Sequence, residues 1–301
     1  MSERPALAGV LGALAIAFSA ILVDLASVTP VAAALWRCSY ALPVLGALAF
    51  VEQRRFGPRT WRERRLAAAA GVLFALDIIA WHYCIRDVGA GLGTVLGNLQ
   101  VVVVPFLAWA LLRERVPPSI LVALPLVCAG VLFVSGALED GAYGANPPRG
   151  VAFGVATGLA YALFLLVQRA GSMDLRRPAG PLFEMTLVSA VVSLACAPLL
   201  GAGDIAPAWP SAAWLILLAL TSQVLGWLLI TVSLPRLPAA MTSMILTIQP
   251  IGSVILGAVL LSEEPSLLQL AGCALIVLGL VSVGTMERAA VRARRRALLH
   301  E

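Results

Sequence analysis

The sequence has few charged residues and no lysine. Only 12% of its 301 residues are charged, 60% are hydrophobic, and the mean hydropathy is +0.95. A soluble domain carries about 25% charged residues, so a soluble globular fold is excluded. All 21 basic residues are arginines. They lie between apolar runs without forming a shared basic face, which argues against nucleic-acid binding.

The sequence also lacks the residue patterns of common metal and catalytic sites. It has two histidines, His82 and His300, and five cysteines that lie singly in apolar segments: Cys38, Cys84, Cys128, Cys196 and Cys273. No CxxC, HExxH, GxSxG or glycine-rich phosphate loop occurs. We therefore expect no metal site, no disulfide and no cofactor, and we expect that the protein is not an enzyme.

Long apolar runs dominate the chain instead. Charged or proline- and glycine-rich breaks separate ten of them, at residues 7–23, 31–51, 66–83, 89–112, 119–138, 150–168, 182–200, 212–232, 238–261 and 267–286. Crossing a hydrocarbon core takes about 20 helical residues. The sequence therefore predicts an all-α membrane protein with ten transmembrane helices. The first run is interpreted as an uncleaved span rather than a signal peptide, because nine more runs follow it.

The positions of the arginines predict the orientation of these spans. If the amino terminus is cytoplasmic, 18 arginines fall in inside segments, only Arg86 and Arg149 fall outside, and Arg37 lies within the second span. Inside loops of membrane proteins carry such an excess of basic residues. Both termini are therefore expected to be cytoplasmic, and the carboxy-terminal run 292–296 is expected to bind anionic lipid at that face.

An internal repeat divides the chain into two halves. Residues 90–134 align without gaps to residues 239–283, with ten identities, of which the most informative are Gln100/Gln249, Glu114/Glu263 and Gly130/Gly279. Each half then holds five spans, so the second half enters the membrane from the opposite side. We predict two inverted five-helix repeats, residues 1–145 and 146–301. Inverted repeats are typical of secondary transporters, although a duplication kept only as a scaffold is the alternative.

A set of motif residues also carries a family resemblance over about residues 7–286. These residues are Leu96 to Gln100, Pro105, Leu111 to Glu114 and Gly130 in the first copy, and Gln249, Pro250, Gly257, Glu263, Gly272 and Gly279 in the second. With Arg37 in the second span, they resemble the EamA-type ten-helix proteins of the drug/metabolite transporter superfamily. Asp77, Trp81, His82 and Asn98 are similar to one bacterial subgroup.

The first copy departs from the family pattern after its glutamine. Val101 stands where the second copy has Pro250, and the first copy's proline is displaced to Pro105. Proline bends or breaks a membrane helix because it lacks an N–H donor. The two helices therefore need not bend at the same depth, and strict mirror symmetry of the two halves is not expected.

The costly polar residues within the predicted spans are few: Arg37, Asp77, His82 and Glu184. Charged side chains in a membrane usually face the protein interior and have partners. At 1.5 Å per residue, Arg37 and Asp77 each lie about 10 Å from the outer end of their helix, so they can meet in the outer half of the membrane. Two interpretations stay open: an ion pair that holds the second span to the third, or a site at which Arg37 binds a substrate carboxylate.

Trp81 and His82 follow Asp77 on the third span. Trp81 shares the helical face of Asp77 and is expected either to line a cavity or to anchor the helix at the interface. His82 is turned about 140° away. It is either an interfacial residue or, with Asp77, a candidate for proton coupling.

Neutral polar side chains near mid-depth complete the predicted site. The candidates for substrate binding are Arg37, Asp77, Trp81, Asn98, Gln100, Tyr161, Gln223, Trp227 and Gln249, with Thr247 as the repeat counterpart of Asn98. Taken singly, an amide in a membrane helix more often holds helices together than binds ligand. Glu114 and Glu263 are interpreted as capping or interfacial charges that can reach water. Five glycines are expected to permit close helix contacts: Gly91, Gly93, Gly97, Gly252 and Gly257.

The resemblance implies a secondary transporter in the bacterial cytoplasmic membrane. Its cargo is expected to be a small polar or amphipathic metabolite, and export of amino acids or related compounds is the commonest assignment in the family. The alternatives are a non-transporting scaffold or sensor and an intramembrane enzyme, for which only Asp77 and His82 qualify. Membrane lipid and the small-molecule substrate are the expected partners, and a monomer and a homodimer both stay open.

Overall fold

The computed structural model describes residues 5–113, 116, 118–172, 174, 176–202, 205–233, 245 and 248–297. The regular secondary structure of these residues is entirely helical. In chain order the helices are α1 (Pro5–Ala26), α2 (Pro30–Phe56), α3 (Trp61–Val88), α4 (Ala90–Gly97), α5 (Gln100–Leu112), α6 (Pro118–Val134), α7 (Pro147–Gly171), α8 (Ala179–Leu199), α9 (Ser211–Leu218), a π-helix (Ala219–Gly226), α10 (Trp227–Ser233), α11 (Ile248–Leu260) and α12 (Leu267–Ala297).

Seven helices within the described ranges are long and apolar enough to cross a membrane. They lie at the predicted spans one to four and six to eight. Three shorter apolar helices, Pro118–Val134, Ile248–Leu260 and Leu267–Val283, lie at the predicted spans five, nine and ten. A multi-pass helical membrane fold is therefore confirmed. Most of the predicted ninth span before Ile248 lies outside the described residues.

Local sequence determines where α2 and α3 begin. The Thr29 side chain accepts a hydrogen bond from the Ala32 amide at 3.4 Å, and Pro30 occupies the first turn, where its missing N–H costs nothing. Thr60 and Glu63 form a reciprocal capping box at the start of α3. These caps set the register of the two helices that carry Arg37 and Asp77.

The predicted fourth span is interrupted in its interior. Helix α4 ends at Gly97 and α5 begins at Gln100, so Asn98 and Leu99 connect two helical segments. The break precedes Pro105, which lies inside α5. The bend is therefore at the asparagine rather than at the proline. Broken helices of this kind are tolerated where they line a cavity.

The second half contains a different irregularity, between α9 and α10. There the chain continues for eight residues as a π-helix, Ala219–Gly226, before it returns to α-helical geometry. The wider turns of a π-helix bond each N–H to a carbonyl five residues earlier, and they occur frequently at functional sites. The segment places Ser222 and Gln223 in the protein interior.

The packing of the helices follows the two-repeat plan. If α1, α2, α3, α4–α5 and α6 correspond to α7, α8, α9–α10, α11 and α12, the largest contacts between the two halves each have a counterpart. Corresponding helices pack together in the pairs α2 with α8, α4 with α11, and α6 with α12. Helix α3 packs against α7, and its counterpart α9–α10 packs against α1. Likewise, α1 packs against α11, and its counterpart α7 packs against α4 and α5. This pattern is the one that exchange of two repeats about an axis generates.

Contacts between the helix connections fall into two groups. At one end, Glu263 accepts from the Ala90 amide, and Arg149 binds Asp87 through two hydrogen bonds of 2.7 Å. At the other end, Arg59 binds Glu184, and Arg177 donates to the Gly57 carbonyl at 3.1 Å. The first group joins connections that the arginine pattern predicts to be outside, and the second joins those predicted to be inside. We call these the outer and the inner ends.

Two glycines make a close contact between α6 and α12. A Cβ atom on Gly130 would lie 2.6 Å from the Gly272 carbonyl oxygen, and one on Gly272 would lie 2.7 Å from the Gly130 oxygen. Small residues at membrane helix crossings permit such backbone contact. The pairing of the last helices of the two repeats therefore depends on both glycines.

Gly130→Ala is expected to lower the free energy of unfolding by about 1–3 kcal/mol, because the added methyl group forces the backbones apart. The midpoint of thermal unfolding of the purified protein measures this effect. Gly252→Ala is the control for a milder contact, since among the described residues its Cβ would meet one side-chain atom, the Ala17 Cβ at 3.3 Å, and no backbone atom. Equal midpoints for Gly130→Ala and the unmodified protein would contradict the assigned contact.

Candidate functional site

A cavity of about 70 Å³ lies between the two repeats. Its walls come from α1, α2, α3, α4, α7, α10 and α11, with the Asn98 break on one side. The lining residues are Ile16, Ser19, Arg37, Phe74, Asp77, Ile78, Trp81, Thr94, Gly97, Asn98, Thr157, Tyr161, Trp227 and Gln249. Seven of the nine predicted substrate-binding residues are therefore together in one cavity.

Arg37 is the cation of this cavity. Arg37 is only 3% exposed, and its Nη2 donates to the Ser222 Oγ at 3.3 Å. The guanidinium carbon lies 6.0 Å from the centre of the Phe74 ring, a distance at which a cation is attracted to the ring face. The Nε atom is buried and has no hydrogen-bond partner among the described residues. A donor therefore remains available at a buried positive charge.

Asp77 lines the same cavity but does not form the expected ion pair. The ion pairs of the described residues, at N–O distances up to 4.0 Å, do not include Arg37 with Asp77. The two side chains therefore share one cavity without forming a direct ion pair. Arg37 instead donates to Ser222 of the π-helix, which sequence spacing between α2 and α3 does not reveal. Opposite charges thus face one cavity without being joined.

Aromatic rings form another part of the wall. The Trp227 ring meets the Phe74 ring edge-on at 5.7 Å between centroids and the Tyr161 ring at 6.3 Å. Trp81 lies beside Gly97, whose Cβ position would be 3.2 Å from the Trp81 ring. Trp81 therefore lines the cavity from α3, on the side where α4 ends. Rings in these arrangements suit contact with apolar or cationic parts of a ligand.

Two amide side chains add neutral polarity. Asn98 donates from Nδ2 to the Thr94 carbonyl at 2.9 Å, across the last turn of α4. Gln249 approaches from α11, and its Nε2 is buried without a hydrogen-bond partner among the described residues. An unpaired buried amide donor costs free energy unless a ligand or water satisfies it. Gln249 is therefore a second donor available to an occupant of the cavity.

Three predicted candidates do not line the cavity. Gln223 lies in the π-helix and donates to the Thr186 Oγ1 at 3.1 Å, and Gln100 is buried as the first residue of α5. His82 Nδ1 lies 3.0 Å from the Pro30 carbonyl oxygen, on another face of α3 from Asp77. Gln223 therefore joins the π-helix to α8, and the histidine links α3 to the start of α2.

The cavity also includes polar residues that sequence reasoning passed over. Ser19, Thr94 and Thr157 line it, and Ser222 binds Arg37. The Ser19 Oγ is buried without a partner among the described residues. Ser19 could have been predicted as a cavity residue, because its hydroxyl stands in the otherwise apolar run at residues 7–23. For Ser222 the sequence offers only a weaker indication, its position next to the candidate Gln223.

Glu263 is a buried capping residue, so the capping interpretation holds and the one in which it reaches water is wrong. Only 6% of the residue is exposed, and its carboxylate accepts from the amides of Ala90 and Gly91, the latter at 3.0 Å. It therefore caps α4 from the opposite repeat, where the amino end of a helix attracts negative charge. Burial raises the pKa of Glu263, and the two amide donors act in the opposite direction. Its counterpart Glu114 lies outside the described residues.

The remaining sequence candidates have structural roles. Glu184 binds Arg59 at the inner end, and Arg64 Nε lies 3.6 Å from its Oε1. Close helix contacts occur at Gly91, whose Cβ would lie 3.0 Å from the Val254 Cα, as well as at Gly97 and Gly252. Thr247 lies outside the described residues. No group of three or more His, Cys, Asp or Glu side chains in the described part of the chain has the geometry to hold a metal ion.

Comparison with known proteins identifies the family. The sequence matches the EamA-like transporter family over residues 4–136 and 148–285, one match for each repeat. No curated protein matches the chain. Twenty-four chains of solved structures match, among them one titled "Crystal structure of protein", which is 16% identical, has a TM-score of 0.64, and is matched over 96% of this chain and 99% of its own. At that identity the likeness shows a common fold. The family match covers nearly the whole chain, which therefore belongs to the EamA-like transporters of the drug/metabolite transporter superfamily.

Proposed function

We propose that the protein moves a small metabolite bearing a carboxylate across the membrane, and that Arg37 binds the carboxylate. The observation that carries this proposal is a buried guanidinium with an unpartnered Nε at the wall of a cavity between the repeats. A buried charge is costly without partners. Arginine presents parallel N–H donors that match the two oxygens of a carboxylate.

Asp77 favours a substrate that also carries an amino group. Its carboxylate lines the same cavity and is not paired with Arg37. A zwitterionic compound places its negative group toward Arg37 and its positive group toward Asp77, and the rings of Trp81 and Trp227 contact its side chain. Amino acids and closely related metabolites have this charge pattern, as the family resemblance also implies.

Alternating access is the mechanism that the cavity size supports. Ligand pockets usually measure about 300–1,000 Å³, so a cavity of about 70 Å³ must widen to admit a metabolite. Separation of the two repeats at one end widens it, and their closure there with separation at the other end completes the cycle. The Glu263 contact with α4 holds the outer end in this scheme, and the Arg59–Glu184 pair holds the inner end.

The orientation and coupling follow from charge placement. The excess of arginine at the inner end favours a location in the bacterial cytoplasmic membrane with both termini inside. Export as the direction rests on the family resemblance alone. If a proton is coupled to transport, we assign it to Asp77, which faces the cavity, rather than to His82, which bonds to the Pro30 carbonyl.

Reconstitution of the purified protein into liposomes tests the proposed function. The vesicles are given a mixed panel of amino acids, other carboxylates and neutral metabolites, with and without a pH gradient, and uptake is measured by mass spectrometry. Selective uptake of carboxylate-bearing compounds is expected. Absence of selective flux in several lipid compositions would favour the scaffold or sensor alternative.

Gln249→Ala and Gln100→Ala provide a sharper test of where the substrate binds. The two glutamines correspond in the repeats, but only Gln249 lines the cavity. Loss of one hydrogen bond to a charged group is worth about 1.5–3 kcal/mol. Gln249→Ala is therefore expected to reduce uptake at limiting substrate by about tenfold or more, and Gln100→Ala by less than about threefold. Equal effects of the two variants would remove Gln249 from the site.

A further inference from the structure

A second cavity, separate from the one between the repeats, lies at the inner end. It measures about 440 Å³, is enclosed mainly by α2 and α8, and shares none of its lining residues with the central cavity. We call it the α2–α8 cavity. One part of its wall is apolar and the other is charged. This division resembles that of a phospholipid, in which acyl chains and a charged headgroup meet at the membrane surface.

The apolar part of the wall faces the surroundings of the helices. Ala49 and Phe50 contribute from α2, and Phe183 and Leu187 contribute from α8. The Phe50 residue is 58% exposed, and Leu187 is also exposed. On helices that span a membrane, exposed apolar side chains are in contact with hydrocarbon. This part of the wall is therefore continuous with the acyl-chain region.

The two acidic side chains of the charged part are already satisfied. Glu52 accepts from the Ala179 and Gly180 amides at 2.9 and 2.8 Å, and so caps the start of α8. Glu184 accepts from Arg59, which also donates to the Gly171 carbonyl at 3.0 Å. Neither carboxylate is left to repel an anion in the cavity without compensation.

Arg64 provides the donors that remain. It lies on the first turn of α3, its side chain is 45% exposed, and its Nε is 3.6 Å from the Glu184 Oε1, beyond hydrogen-bond distance. Its guanidinium has no hydrogen bond to any other described residue. Arg177 stands in the same wall, held by Asp174 and by the Gly57 carbonyl. The three arginines of the wall outnumber its two glutamates.

We propose that the α2–α8 cavity binds one anionic phospholipid, whose phosphate lies on Arg64 and whose acyl chain lies against Phe50 and Leu187. An arginine guanidinium bonds two phosphate oxygens at once. Basic pockets between membrane helices at the cytoplasmic face are a known type of anionic-lipid site. The lipid joins the start of α3 to the α2–α8 pair, where the corresponding helices of the two repeats meet. The proposal does not depend on what the central cavity transports.

Native mass spectrometry of the purified full-length protein with added phosphatidylglycerol tests this site. The unmodified protein is expected to retain one lipid per chain. Arg64→Ala is expected to weaken binding about fivefold, which corresponds to about 1 kcal/mol for one basic residue at the surface. Arg62→Ala is the matched control, because Arg62 is exposed on the same helix turn, carries the same charge and does not line the cavity. It is expected to retain the lipid.

A second variant tests the acyl part and leaves every charge in place. Ala49→Trp fills the apolar half of the cavity and is expected to weaken phosphatidylglycerol binding while the thermal unfolding midpoint stays that of the unmodified protein. Two competitors separate a lipid from a free phosphate compound. Phosphatidylcholine and the water-soluble headgroup glycerophosphoglycerol are both expected to displace the bound lipid poorly. Displacement by the headgroup at equal concentration, retention of phosphatidylcholine equal to that of phosphatidylglycerol, or equal loss with Arg62→Ala would each overturn the proposal.

Discussion

Replacement of Arg37 by glutamine is expected to lower the initial rate of substrate uptake by about 30-fold or more in liposomes. The change removes the one cation of the central cavity's lining, which is buried and holds a free Nε donor. A hydrogen bond to a charged group is worth about 1.5–3 kcal/mol, and each 1.36 kcal/mol is a factor of ten. Loss of the pair of donors that a carboxylate uses therefore accounts for an effect of this size.

Arg54→Gln is the matched control for this variant. Arg54 lies on the same helix and carries the same charge, but it is exposed near the inner end and its guanidinium lies 4.9 Å from its neighbour Phe50's ring centroid. Its uptake rate is expected to equal that of the unmodified protein. Ser222→Ala removes only the hydrogen bond that orients Arg37 and is expected to have an intermediate effect. A rate for Arg37→Gln within threefold of the control, at equal reconstitution, rejects Arg37 as the carboxylate site.

Replacement of Glu263 by alanine is expected to have the largest effect on stability, at about 2–6 kcal/mol. The Ala90 and Gly91 amides both lose their acceptor at a buried helix start. Each buried donor left without a partner costs about 1–3 kcal/mol. The midpoint of thermal unfolding in detergent, followed by tryptophan fluorescence, is therefore expected to fall by at least about 5 °C.

Glu264 supplies the control for Glu263, because it is the next acidic residue in the chain and is exposed. Glu264→Ala is expected to leave the midpoint within about 1 °C, as substitutions at exposed sites usually do. Glu263→Gln retains one carbonyl acceptor, so its unfolding midpoint is expected to lie between those of Glu263→Ala and Glu264→Ala. Identical midpoints for Glu263→Ala and Glu264→Ala would show that the buried carboxylate does not hold α4 in place.

The features of the fold that were predictable from the sequence are those that one strong physical effect determines. Hydrocarbon requires about 20 apolar residues per span, so the spans were recognisable from length and composition. The cost of charge in lipid likewise pointed to Arg37 and Asp77 as interior residues. Helical periodicity separated Trp81, which shares the cavity with Asp77, from His82, which does not.

The remaining features depend on contacts between distant segments. Ser222, the partner of Arg37, lies 185 residues away in the chain. It is part of the π-helix at residues 219–226, whose sequence has no pattern that predicts π-helical geometry. Glu263 resembles an interfacial carboxylate in sequence, and only the packing of α4 beside it supplies the two amides. The break at Asn98 has no strong local signal. Proline is the usual mark of a helix break and lies at Pro105, whereas an asparagine in a span more often bonds a neighbouring helix.

The π-helix has a consequence for how the cavity wall responds to its contents. Ser222 and Trp227 stand at either side of its final turn, one holding the Arg37 guanidinium and the other forming the aromatic wall. Rewinding that turn to α geometry changes its hydrogen bonds from five-residue to four-residue spacing, and each residue of offset is about 100° of rotation. Any change in winding therefore reorients Ser222 and Trp227 together. The hydrogen bond to Arg37 and the shape of the cavity then change in the same step.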